Sequence, residues 1–176
     1  MRKNKMTIAI LGCIGIFLIT ALILVPTAQA GEITSKHKIA SYIVKMEVIP
    51  VPDVKGHVVG ILERGGVAIY ENGETAAYHS RLTFDSIKGG DASFSGYCNI
   101  SFADGSISMT KFQGTASGAK PRLIKGTGKY IKGTGRFEGI KGKVSFSGKY
   151  VTPYTKDKTK GDVVLEVTST YTLPKK

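Results

Sequence analysis

From Thr34 onward, apolar and polar residues alternate with a period of two that seldom lapses. This is the pattern of antiparallel strands with one face in a core and the other in water. In "KIASYIVKMEV" the alternation sets Ala40, Tyr42, Val44, Met46 and Val48 on one face and Lys45 and Glu47 on the other. Pro50 and Pro52 lack the N–H a ladder needs and end that strand. "GHVVGILERGGVAIYENGE" predicts a long second strand, bulged or bent at Gly65-Gly66 and closed by the hairpin signal Asn72-Gly73. "TAAYHSRLTFDS" then sets Ala76, Tyr78, Ser80, Leu82 and Phe84 against Thr75, His79, Arg81, Thr83 and Asp85. Gly89-Gly90 turns the chain into "ASFSGYCNISF", where Phe94, Gly96, Cys98, Ile100 and Phe102 share a face, and Asp104-Gly105 turns it back into "SISMTKFQGT". "RLIKGTGKY", a glycine cluster, "KVSFSGKYVTP", the polar loop "YTKDKTKGD" and "VVLEVTSTYTL" complete the chain. No amphipathic helical stretch of normal length interrupts the series. Seven or eight short strands joined by turns predict an all-β barrel or sandwich, and the mostly short hairpins favour an antiparallel up-and-down barrel, because closure removes the edges an open sheet exposes.

The N-terminus follows a different rule. Arg2, Lys3 and Lys5 precede an uncharged run from Met6 to Val25, and "PTAQA" ends at Ala30 with small residues where a signal peptidase reads. The expectation is a signal peptide over 1–30, cleaved after Ala30, and one barrel domain over 31–176 that is secreted or periplasmic. The apolar run is also long enough to cross a bilayer, so an uncleaved N-terminal membrane anchor is one rival. Lipidation at Cys13, in the lipobox-like "ILGC", is another. Membrane contact is expected only under these rivals.

Removing the leader's three cations from the 25 Lys and Arg, against 13 Asp and Glu, leaves the remainder at +9. The lysines are scattered rather than blocked, as on a solvated surface, and no nucleic-acid partner is expected. Cys98 alone remains after cleavage, so an internal disulfide is excluded and the thiol reads as a small buried hydrophobe. His37, His57 and His79 stand singly, without the neighbours a metal would need. His79, Arg81 and Asp85 share the face opposite Leu82 and Phe84, which is the wet one. No G-x-S-x-G elbow is present, so no nucleophilic triad is read.

"GTGKYIKGTGRFEGIKGK", Gly126 to Lys143, invites a phosphate-loop reading. Gly133, Gly135 and Gly139 are spaced one residue too far for a dinucleotide fingerprint, and Gly142-Lys143 is followed by Val144 rather than Ser or Thr. No nucleotide cofactor, nor any other, is expected. The stretch reads instead as two successive turns and a short strand, with Tyr130 and Phe137 plugging inward.

Within it, "GTGRFEGIKGKVSFSG" resembles the G-x-T/G-G-x-F-x-G-A-x-G segment of plant allene oxide cyclases and, more loosely, dirigent proteins. Gly133, Thr134, Gly135, Phe137, Glu138, Gly139 and Gly142 match, while Ile140-Lys141 departs from the pattern. Within that wider superfamily the chain looks most like uncharacterised secreted bacterial members. The resemblance implies an eight-stranded antiparallel barrel, lipocalin-like in outline, with an apolar cavity and frequent trimers. It assigns no catalytic residue, since Glu47, the only acid on the first strand, lies on the face with Lys45.

With the apolar faces turned inward, the wall of such a cavity draws on Tyr42, Met46, Tyr78, Leu82, Cys98, Phe102, Phe146 and Tyr171 as ligand-binding candidates, with Val44, Phe94 and Met109 beside them. Three functions remain open: a barrel that binds a small apolar ligand, an isomerase or cyclase, and a structural or adhesive oligomer.

Overall fold

The computed structural model describes residues 31–119, 122–152 and 161–175. The leader expected over 1–30 and most of the polar loop lie outside the described residues. Eight strands follow in chain order: β1 Ile33–Pro50, β2 His57–Tyr70, β3 Thr75–Ile87, β4 Ala92–Phe102, β5 Ile107–Ala116, β6 Leu123–Gly133, β7 Lys141–Tyr150 and β8 Val163–Thr172. Each pairs antiparallel with the next, and β8 pairs with β1 to close the barrel. The only helical turn among the described residues is a 3-10 turn at Gly135–Phe137. The hairpin turns fall at the expected glycines, with Gly73, Gly89 and Gly105 all at φ near +80°.

The period of two holds on every strand, but its phase in β1 differs from expectation. Ile43 pairs with Arg64 and Lys45 with Glu63, so Val44 is an extra residue, a β-bulge. Before the bulge the buried residues are His37, Ile39, Ser41 and Ile43; after it Met46 and Val48 turn inward. Ala40, Tyr42 and Val44 therefore face outward, beside Val67 and Ile69 of β2. Gly65 and Gly66, by contrast, sit in an unbroken β2. A second bulge, at Ile131, lies in β6 where Thr110 pairs with Tyr130 but Met109 with Lys132. "GTGKYIK" is thus strand rather than turn, and only 134–140 makes the turn.

Several glycines in the strands do different work: they point inward and make room for rings. A Cβ on Gly60 would fall 2.6 Å from the Phe84 ring, and one on Gly114 would fall 2.7 Å from the Phe94 ring. Gly126 stands in the same relation to Phe146. Three phenylalanines can therefore lie across the barrel interior, in contacts that any larger residue would block.

The barrel has unlike ends. At the end carrying the β2–β3, β4–β5 and β6–β7 connections, aromatic rings form a cork: Phe102 lies 4.9 Å from Phe137 and 5.5 Å from Tyr70, and Tyr171 lies 6.5 Å from Phe137. Arg136 caps the cork, 4.3 Å above the Phe102 ring and 5.0 Å from Phe137. It also pairs with Glu74 at 2.6 Å and Asp104 at 3.5 Å. At the opposite end, Asp53 and Asp85 clasp His57 at 2.7 and 2.9 Å, tying the β1–β2 turn to β3.

Candidate functional site: an apolar cavity with a polar row

Above the cork the interior is not filled. A cavity of about 290 Å³ runs from His37 and Ser169 up to Ala92, Ala116, Arg122 and Tyr150. This is about the smallest volume typical of small-molecule pockets. Its wall is mostly apolar, with Ile39, Met46, Val48, Val58, Leu62, Leu82, Phe84, Phe94, Phe112, Ile124, Phe146, Leu165 and Val167. Among the described residues, neither Asp nor Glu lines it.

The polar exceptions are ordered. Arg64 pairs across to Ser80, Ser80 to Cys98, Cys98 to Thr110 and Thr110 to Tyr130, so one row crosses five neighbouring strands; Ser80 is buried within it and the other four line the cavity. Arg64 is only 5 % exposed. Its Nε donates to Ser41 Oγ at 3.1 Å, and its Nη2 donates to the Ser41 carbonyl at 3.1 Å and the Gly161 carbonyl at 2.7 Å. Arg122 stands over the Tyr150 ring, 5.6 Å from its centroid, and its Nε donates to the Ser117 carbonyl at 3.4 Å. Both cations line the same space.

Lower in the cavity, His37 stacks on Tyr70 with centroids 4.5 Å apart. Among the described residues neither of its ring nitrogens has a hydrogen-bond partner. Burial lowers the His37 pKa to about 4, so the imidazole is neutral at pH 7. Burial also raises the Cys98 thiol to about 11 and the Tyr130 phenol to about 12, and pushes Tyr78 up further still. All three stay protonated, and Cys98 is no nucleophile.

Of the residues expected to line a cavity, Met46, Tyr78, Leu82, Cys98 and Phe146 meet in this one, as does Phe94. Tyr42 and Val44 do not; the bulge turns them to the exterior, where they are 56 % and 54 % exposed. Phe102 and Tyr171 point inward but belong to the cork below, and Met109 is out of phase with Ser108 and Thr110, the inward residues of β5. His79 and Arg81 both engage Glu63 on the outer face, at 2.7 and 3.4 Å, and Glu47 pairs there with Lys45 at 2.6 Å.

Sequence reasoning missed Arg64, His37 and Ser41. A signal existed for Arg64, which is in phase with Leu62 and Ala68. For His37 and Ser41 the signal is their alternation with Ile39 and Ile43, which competes in the sequence with the opposite phase holding Tyr42.

Fold and site together define a closed antiparallel barrel with a mainly apolar internal cavity. No family model and no curated protein matches the chain. Among solved structures it is similar to the pterocarpan synthase dirigent protein GePTS1, with 12 % identity, a TM-score of 0.49 and 81 % of this chain covering 90 % of that one. It is also similar to the pterocarpan synthase dirigent protein PsPTS1, with 16 % identity, a TM-score of 0.48 and coverage of 84 % and 99 %. The strand order and closure rest on the chain's own pairing.

Proposed function

We propose that the barrel binds one small, mainly apolar molecule in its cavity and, exported after cleavage at Ala30, sequesters or carries it. The observation that carries this reading is the space itself: about 290 Å³ bounded by a nearly continuous apolar wall, beside the His37 ring, whose two buried nitrogens lack a partner among the described residues. A cavity serving packing alone would cost stability for the missing contacts, and unpaired buried polar groups would add to that cost. A ligand with an apolar body and a polar handle offsets both.

Thermal unfolding of the purified chain against a panel of alkanoates, alkanols, terpenoids and simple phenols tests it. A ligand present at a hundred times its Kd stabilises by about 2.7 kcal/mol, which moves Tm by about 5–10 °C in a domain of this size. Ala92→Phe, which fills the upper cavity, is expected to abolish the shift while leaving the unliganded Tm near its original value. A flat response across the panel would contradict the reading.

An isomerase or cyclase acting in the same cavity is the second reading. The observation in its favour is His37, a neutral base facing an apolar space with both nitrogens unengaged. Turnover of an unsaturated epoxide that is lost in His37→Phe would support it, and binding without turnover would leave the first reading alone.

A further inference from the structure

Arg64 narrows the cavity-binding reading, on which this inference rests. Its guanidinium is buried, lines the cavity and, among the described residues, is met only by neutral oxygens, those of Ser41 and Gly161. No carboxylate of a described residue pairs with it; its sequence neighbour Glu63 points outward to His79 and Arg81. Nη1 has no acceptor among the described residues. A buried cation met by three neutral acceptors is costly in an apolar surrounding unless an anion joins them. Every other group of the row, Ser80, Cys98, Thr110 and Tyr130, is neutral and protonated, so none supplies that anion.

We propose that Arg64 receives the carboxylate of an amphipathic monoanion whose hydrocarbon body lies against Leu82, Phe94 and Phe146. The planar guanidinium suits a carboxylate, and Nη1–H is the donor left to reach it. Arg122, farther up the same wall, adds positive potential along the entry path. Tyr78 lines the same cavity, and its protonated phenol is a second donor for the same head group.

The alternative is that Arg64 merely ties β1 and β2 to the segment before β8. Matched pairs separate the two: octanoate and octanol, dodecanoate and dodecanol, hexadecanoate and hexadecanol, each titrated at pH 7.5 by calorimetry. The unaltered protein is expected to bind the acid of its best pair at least about tenfold more tightly than the alcohol. Arg64→Met is expected to erase that preference by weakening the acid about tenfold or more, with the alcohol changed by less than about threefold; Arg64→Lys keeps part of it. Because the pair is buried, the preference should persist in high salt. Equal affinity of the unaltered protein for acid and alcohol would overturn the head-group assignment and leave cavity binding standing. So would a preference that survives in Arg64→Met. Binding of neither member of any pair would overturn both readings. Should Arg64→Met fail to fold, the comparison within the unaltered protein and Arg64→Lys still decides.

Discussion

At the scale of single residues, the interior is governed by how few groups keep a charge. His37 stays neutral because its ring is buried against Tyr70 without a partner. Its folded pKa, about 4, lies below the ordinary 6.5, so between those values the unfolded chain holds a proton that the barrel does not. Stability therefore falls as pH drops through that window, by at most about 3 kcal/mol from this residue. His57 acts in the opposite sense: the hydrogen bonds its ring donates to Asp53 and Asp85 raise its pKa, so its contribution is present at low pH and is lost as pH rises through the raised value. Urea denaturation from pH 4 to 8 is expected to show an acid limb that flattens in His37→Phe and an alkaline limb that flattens in His57→Gln. An unchanged acid limb in His37→Phe would show that the ring is hydrated. Such behaviour is only partly readable from the sequence, since His37, His57 and His79 stand equally alone there and differ only in what the fold puts around them.

Among the elements, the strands themselves were plain in the alternation, and so were the hairpins at Asn72-Gly73 and Asp104-Gly105. The facing of β1 was not. A bulge at Val44 adds one β-branched residue that looks like any other strand residue, yet it exchanges inside for outside over the half of β1 that holds Tyr42. Gly65-Gly66 looked like the bend, but the irregularity is on the partner strand. The inward glycines leave a composition signal without a position: aromatic rings pack over Gly60 of β2, Gly114 of β5 and Gly126 of β6. Gly126→Ala sets a methyl against the Phe146 ring and the Gln113 carbonyl. It is expected to destabilise by about 1–3 kcal/mol, measured by urea denaturation. Phe146→Leu in the same chain should return part of that loss and not all, because the carbonyl stays; full recovery would show that the ring alone sets the limit.

For the whole molecule, closure leaves no strand edge free and gives the two ends separate tasks: one is corked by aromatic rings, and the other leads toward the cavity. The cork is held by Arg136, stacked on Phe102 and Phe137 and paired with Glu74 and Asp104. Arg136→Ala is expected to lower stability by about 1–2 kcal/mol, more than an exposed ion pair alone would account for, while ligand affinity stays within about threefold. A large loss of affinity would place the ligand at the cork. The central claim, that the barrel interior receives a ligand, is tested most directly by a crystal structure of the protein grown with dodecanoate. The account predicts continuous density for the alkyl chain among Met46, Leu82 and Phe146, with its carboxylate at Arg64; density confined to the outer surface, with those side chains closed upon one another, would contradict it.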